Sequence, residues 1–214
     1  MGFPEVSYIV GSEVTSGSNA ALGMLPGLTT GACELLQEWG TEEQKEVYLT
    51  KMVSGEWSGT MNLTEPHAGS DVGLSTTKAV PEGDGSWRLS GTKIFISFGE
   101  NDLVDNIVHL VLARTPDAPA GTKGISLFLV PKFLPDENGN PGERNDVNCL
   151  SIEHKMGIHS SPTCVMSYGD DAGAIGWLVG EENQGMRAMF TMMNAARLAV
   201  ATQAVGIAEA GYQL

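Results

Sequence analysis

Cysteine, basic charge and long apolar runs are all scarce in this 214-residue chain. The three cysteines, Cys33, Cys149 and Cys164, are an odd number and widely spread, which excludes a disulfide scaffold and favours a reducing, cytoplasmic compartment. Only 12 Lys and Arg stand against 26 Asp and Glu, a formal charge of -14, and the basic residues form no cluster. A nucleic-acid backbone or an anionic bilayer is bound through a basic footprint, so neither is an expected partner. Apolar runs such as Ile125 to Val130 break well short of the ~20 residues a membrane helix needs. Met1-Gly2-Phe3-Pro4-Glu5-Val6 carries no basic segment leading into an apolar core, and Val6 stands where a myristoylation pattern wants Ser or Thr. The fingerprints of dinucleotide-binding, P-loop, zincin and serine-hydrolase sites are missing too.

What is present is enough apolar sequence, 42% of the chain, for a sizeable core, arranged in three zones. From Val14 to about Trp57 the period is helical, with Ala20, Leu22, Leu25, Leu28, Leu35 and Leu36 near helical spacing and a stop at Gly40. A second helix opens at Thr41 with Gln44 completing a capping box, is expected to bury Val47, Tyr48, Met52 and Val53, and ends near Gly55. From Ser58 to about Gly180 the period falls to two. Seven short strands are expected, at 76–80, 87–89, 92–97, 107–113, 124–130, 163–168 and 175–179, with a turn at Ser90-Gly91 and an exposed loop from Phe133 to Asn148. Strands this close, without helices between them, predict an antiparallel barrel or sandwich. From Gly185 a helical stripe returns through Met186, Met189, Phe190, Met193, Arg197, Val200, Ala204 and Ile207, with many small residues that let helices approach closely. It runs to Leu214 without a stop signal and reads as a helix continuing into a longer α-β-α protein. The fold class is therefore α+β, divided at 1–57, 58–180 and 181–214.

Cys149, His154, His159 and Cys164, evenly spaced, could in principle make a tetrahedral zinc site, but an interval of five alternates faces along a strand and lacks a Cys knuckle, so no metal is expected. The segment Thr64-Glu65-Pro66-His67-Ala68-Gly69-Ser70-Asp71 is more informative. Pro66 removes a donor and Gly69 admits a close backbone approach, leaving hydroxyls and free amides that could hold heteroatoms or phosphate without a lysine. A plain turn entering the barrel fits the same residue types. Downstream, Gly91-Thr92-Lys93-Ile94-Phe95-Ile96-Ser97 puts an aromatic plane and a hydroxyl, Phe95 and Ser97, on one strand face, as a flat heteroaromatic ligand requires. An ordinary strand with Phe95 in the core is the alternative.

Those two segments in order, then Val111-Leu112-Ala113-Arg114 and Gly180-Glu181-Glu182-Asn183-Gln184-Gly185-Met186, resemble the acyl-CoA dehydrogenase family over nearly the whole chain. The stretch from the long loop through His154-Lys155-Met156-Gly157-Ile158-His159-Ser160-Ser161-Pro162-Thr163 is most similar to the branch containing 3-methylmercaptopropionyl-CoA dehydrogenase. The resemblance implies FAD, held by Met61, Leu63, Thr64, Gly69 and Ser70, with Phe95, Ile96 and Ser97 flanking the ring; many members carry tryptophan where this chain has Phe95. It also implies acyl-CoA contacts at Ser70, Asn194 and Arg197, transfer of electrons to an electron-transfer flavoprotein, and a homo-oligomer for a full-length member. The implied reaction is α,β-dehydrogenation: a carboxylate takes the α-proton while the β-hydrogen leaves as hydride to the flavin. Some members carry that base directly before the arginine, where this chain has Ala196; in others it lies at a position expected beyond Leu214. No residue here is assigned as the base, and Glu65 is read as structural. An acyl-CoA oxidase and a non-catalytic β-barrel binding module remain as alternative functions.

Overall fold

The computed structural model describes residues 5–214, with side chains from residue 7 onward. The first four residues, on which the reading of the N-terminus partly rests, lie outside the described residues. Helix α1 (Glu5–Met24) bends at Asn19, which leaves the helical region (φ -156, ψ 93) and whose side chain accepts from Leu22 N at 3.1 Å, capping the last turn. Pro26 precedes α2 (Gly27–Trp39), which stops at Gly40 as the sequence indicates. Thr41 and Gln44 form the expected capping box, opening α3 (Glu42–Gln44), a π-helical turn (Lys45–Leu49) and α4 (Thr50–Ser54). Tyr48 and Met52, four apart, share the buried face; Val53, one position on and so rotated by about 100°, is exposed, contrary to expectation.

Ten strands follow: β1 (Trp57–Asn62), β2 (Lys78–Pro81), β3 (Trp87–Ser97), β4 (Asn106–Ala113), β5 (Ser126–Pro131), β6 (Phe133–Pro135), β7 (Pro141–Arg144), β8 (Val147–Ile152), β9 (Thr163–Tyr168) and β10 (Ala174–Val179). The main sheet runs β1-β4-β5-β10-β3-β9-β8, with β2 on β3. It is mixed rather than wholly antiparallel, because β1 pairs in parallel with β4. The chain leaves β1, makes the β2–β3 excursion and returns in the same direction, which a tight hairpin cannot do.

Two further expectations give way. Ser90-Gly91 is no turn: β3 runs unbroken through it. Gly91 (φ +152) is required by crowding, since a Cβ there would lie 2.5 Å from Thr77 Oγ1. The segment from Phe133 to Asn148 holds the small β6–β7 hairpin and the start of β8 as well as exposed loop.

Two apolar layers make the core. One joins α2, β1, β4, β5 and the start of the last helix around Leu35, Leu36, Trp57, Leu110, Leu127 and Met189. The other lies on the opposite face of the sheet around Leu89, Ile96, Val111, Phe128, Met166 and Tyr168. Helix α5 (Gly185–Tyr212) buries Gly185, Ala188, Met189, Met192, Thr202 and Gly206, whereas Phe190, Val200 and Ile207 of the anticipated stripe are exposed. The buried face is set by three neighbours: Gly185 lies against Ser126 of β5, Met192 against Gly31 of α2, and α1 packs so closely that a Cβ on Gly206 would fall 2.5 Å from the Glu13 carbonyl oxygen.

Candidate functional site

The loop after β1 is held from beneath by one carboxylate. Glu65 is 2% exposed and Lys93 fully buried, and their Oε1 and Nζ are 2.8 Å apart. Glu65 also accepts from the amides of Thr76 (2.7 Å) and Thr77 (3.1 Å) and from their hydroxyls at 3.1 and 2.6 Å. Burial alone would raise the Glu65 pKa, but the Lys93 charge and these donors overcome it and hold it at about 2. Lys93 spends a second proton on the Leu63 carbonyl at 3.0 Å. Burial pushes the Lys93 pKa below its ordinary value, opposed by Glu65. A carboxylate with this many donors has no free lone pair for a substrate proton, which supports a structural reading of Glu65.

Arg114 closes the far side of the same loop. Its guanidinium donates to the carbonyls of Ser75 (2.7 Å), Gly73 (2.5 Å), Pro119 (3.0 Å) and Gly121 (2.9 Å), tying residues 73–75 to 119–121. Neither Lys93 nor Arg114 had a role assigned from sequence. The available signal was a lysine inside an otherwise apolar strand, which demands a buried counter-charge.

Above this frame, Ile94 N donates to the Thr64 carbonyl at 2.9 Å, which places the loop directly beside β3 one residue from Phe95. The register of β3 with β9 shifts between Lys93 and Ile96, and Phe95 has φ +60. This bulge resets the alternation: Lys93 and Ile96 both point inward, leaving Phe95 59% exposed and Ser97 half-buried on the outer side. Phe95 is therefore not a core residue. Thr64, also half-buried, and Ser97 have hydroxyls without a hydrogen-bond partner among the described residues, and no hydrogen bond there involves Gly69 or Ser70. Met61 and Leu63 pack against the first core layer, and Ile96 is buried in the second, so these three offer a ligand mainly backbone. The Thr64 end of the loop and the Phe95 segment of β3 are thus adjacent. Asn194 and Arg197 sit apart on α5, where Arg197 Nη1 donates to Asn194 Oδ1 at 3.0 Å and its guanidinium lies 5.4 Å from the Phe190 ring centre.

A buried polar string that sequence reasoning missed supports the exit of β1. Tyr168 donates to Asn62 Oδ1 (2.8 Å), Asn62 donates to Thr60 Oγ1 (2.9 Å), and Thr60 lies 2.8 Å from His109 Nδ1. Burial, reinforced by the Lys132 and Arg144 charges, pushes the His109 pKa down to about 3. Of the four residues considered for zinc, Cys164 is buried and Cys149 partly so, while His154 and His159 lie on the segment between β8 and β9. No group of three or more potential ligands occurs among the described residues.

The chain matches the acyl-CoA dehydrogenase N-terminal domain over residues 1–56 and the acyl-CoA dehydrogenase middle domain over residues 60–170. It is 54% identical to 3-methylmercaptopropionyl-CoA dehydrogenase of Ruegeria pomeroyi, over 100% of this chain and 36% of that protein. Among solved structures it resembles butyryl-CoA dehydrogenase from Megasphaera elsdenii (TM-score 0.79, 31% identity, 98% of this chain and 51% of that one). It also matches a chain in the structure of the electron transferring flavoprotein of Acidaminococcus fermentans (TM-score 0.83, 32% identity, again 98% and 51%). The chain thus spans about a third to a half of the length of these relatives. The helices before β1, the mixed sheet, the braced loop after β1 and both family matches lead to one conclusion: the chain belongs to the acyl-CoA dehydrogenase family.

Proposed function

We propose that this chain supplies the flavin- and acyl-CoA-binding portion of an enzyme that oxidises an acyl-CoA thioester to the 2-enoyl-CoA and passes the electrons to an electron-transfer flavoprotein. In this reading residues 1–57, 58–180 and 181–214 are the end of a helical domain, the β-domain and the first helix of a second helical domain. The observation that carries it is the Ile94 N to Thr64 carbonyl bond, which ties the loop bearing Thr64, whose hydroxyl has no partner among the described residues, to the stretch of β3 that carries the exposed Phe95 face and Ser97.

These groups fit FAD. The Phe95 face suits stacking on a planar ring, Thr64 and Ser97 suit its polar edge, and the Gly69-Ser70 amides suit phosphate or CoA oxygens. The cofactor would supply the hydride acceptor. The protein's share is alignment. Glu65, Lys93 and Arg114 hold the loop without touching the guest, and Arg197 of α5 contacts the acyl-CoA beside Asn194. Deprotonation of the α-carbon needs a carboxylate that Ala196 does not provide, so the general base is assigned to none of these residues. A homo-oligomeric, cytoplasmic enzyme is consistent with the three free thiols and the exposed apolar residues of α5. No helix among the described residues is long and apolar enough to cross a membrane.

The test is the visible spectrum of the FAD-loaded full-length protein titrated anaerobically with acyl-CoA. Bleaching, reversed by an electron-transfer flavoprotein, is expected. A colourless protein that FAD cannot reconstitute would instead indicate a binding module, and oxygen consumption without added acceptor would indicate an oxidase.

A further inference from the structure

A cavity of about 470 Å³ opens where the helical segment after Gly40 meets β10 and the β6–β7 hairpin. Small-molecule sites span roughly 300–1,000 Å³, so it has the size of one. It shares no lining residue with the loop after β1, with Phe95 to Ser97 or with α5. Val47, Leu178 and Pro135 make its apolar walls, together with the rings of Tyr48 and Trp177, whose centres are 6.3 Å apart and whose planes are tilted by 47°. Trp177 is half-buried, which leaves part of its ring free to meet a flat guest.

Most polar groups on the wall are already spent. Gln44 Oε1 accepts from Thr41 N at 3.1 Å, Gln44 Nε2 donates to the Leu178 carbonyl at 2.9 Å, and Thr41 Oγ1 accepts from Gln44 N at 3.2 Å. Tyr48 is the exception. Its side chain is only 5% exposed, but its hydroxyl is not sealed in: it opens on the cavity and has no hydrogen-bond partner among the described residues. Burial raises the Tyr48 pKa, so the group remains a fixed donor at neutral pH. Glu43 adds a carboxylate to the wall, and no lysine or arginine stands among the described lining residues, so an anion is disfavoured there.

We propose that this cavity is a second binding site, separate from the candidate flavin and acyl-CoA site, for an uncharged, flat ring compound that accepts a hydrogen bond from the Tyr48 hydroxyl. The ring lies against Trp177, and Val47, Leu178 and Pro135 exclude water around it. Glu43 rejects carboxylates and phosphates. Tyr48 comes from the helical segment and Trp177 from β10, so a guest held by both bridges the helices to the sheet.

The test is equilibrium binding of quinoline, naphthalene and 2-naphthoate, followed by ligand NMR at neutral pH, to the full-length protein and to its Tyr48→Phe, Trp177→Leu and Phe95→Ala variants. Quinoline and naphthalene have the same shape and differ in one ring nitrogen, which is an acceptor. Quinoline should bind the unaltered protein about five- to tenfold more tightly than naphthalene, the worth of one hydrogen bond. Tyr48→Phe, which removes a hydroxyl without a protein partner among the described residues and keeps the ring, should abolish that difference by weakening quinoline alone. Trp177→Leu should weaken both, Phe95→Ala neither, and 2-naphthoate should bind at least tenfold more weakly than naphthalene. Equal binding of quinoline and naphthalene to the unaltered protein, a difference that survives Tyr48→Phe, or 2-naphthoate binding as tightly as naphthalene would overturn the proposal. So would quinoline binding that is lost in Phe95→Ala, which would put the ring in the candidate flavin site. The function proposed above stands or falls separately, on the flavin spectrum.

Discussion

Glu65 and Lys93, twenty-eight positions apart in sequence, form a fully enclosed ion pair at 2.8 Å that staples the loop after β1 to the middle of β3. The pair touches no outer surface, yet it decides where Thr64 and Phe95 stand.

Glu65→Gln should cost about 3–5 kcal/mol, because it strands the buried Lys93 charge and replaces an acceptor with a donor facing other donors. Chemical denaturation measures this. A loss under 1 kcal/mol would mean the pair is not enclosed in solution. The wild-type carboxylate is held below its ordinary pKa of 4.5, so its contribution is complete above pH 4.5 and disappears as pH falls from there to about 2.

His109 produces an earlier acid response. Its folded pKa of about 3 lies below the ordinary 6.5, so between those values the unfolded chain binds the extra proton and stability falls as pH drops. The slope should approach about 1.4 kcal/mol per pH unit. In His109→Gln the slope between pH 6.5 and 5 should flatten, as followed by denaturant midpoints at each pH; an unchanged slope would assign the response to another group.

Arg114→Lys keeps the charge but loses the fork that reaches four carbonyls. Loss of about 2 kcal/mol and faster amide exchange confined to residues 72–77 and 119–124 are expected. Uniform exchange along the chain would refute a local role.

Ser97→Ala removes a hydroxyl that has no partner among the described residues, so stability should change by less than about 0.5 kcal/mol. FAD affinity should nevertheless fall about five- to tenfold. Phe95→Ala should lower it at least as much, and fluorescence titration of FAD reads both. Unaltered affinity in the two variants would remove the site from the outer side of β3.

Under the proposed function, the 214-residue chain by itself should show no measurable acyl-CoA oxidation, since none of its residues is assigned as the base and Ala196, beside Arg197, cannot accept a proton. Turnover by this chain alone, in a dye-reduction assay, would show that a residue within it can deprotonate the substrate.

The helix stops and caps were legible in sequence because they are local chemistry: Gly40 ending α2 and the Thr41-Gln44 box each involve residues within one turn. The loop motif and the Phe95 segment were legible as well, through ordered residue types that resemble one family. The buried faces of α4 and α5 were not, since Val53 and Val200 are as apolar as the residues that pack, and only the approach of β1 or α1 chooses between them.

Residue types and period thus determined the α+β class, the helical flanks and the two segments of the candidate site. Tertiary structure alone decided the parallel β1–β4 pairing, the bulge that turns Phe95 outward while Lys93 turns in, and the ion pair beneath Thr64. The reason is range. Periodicity and capping act over a few residues, whereas register, strand direction and the partner of a buried charge depend on segments that meet only after the chain has closed on itself.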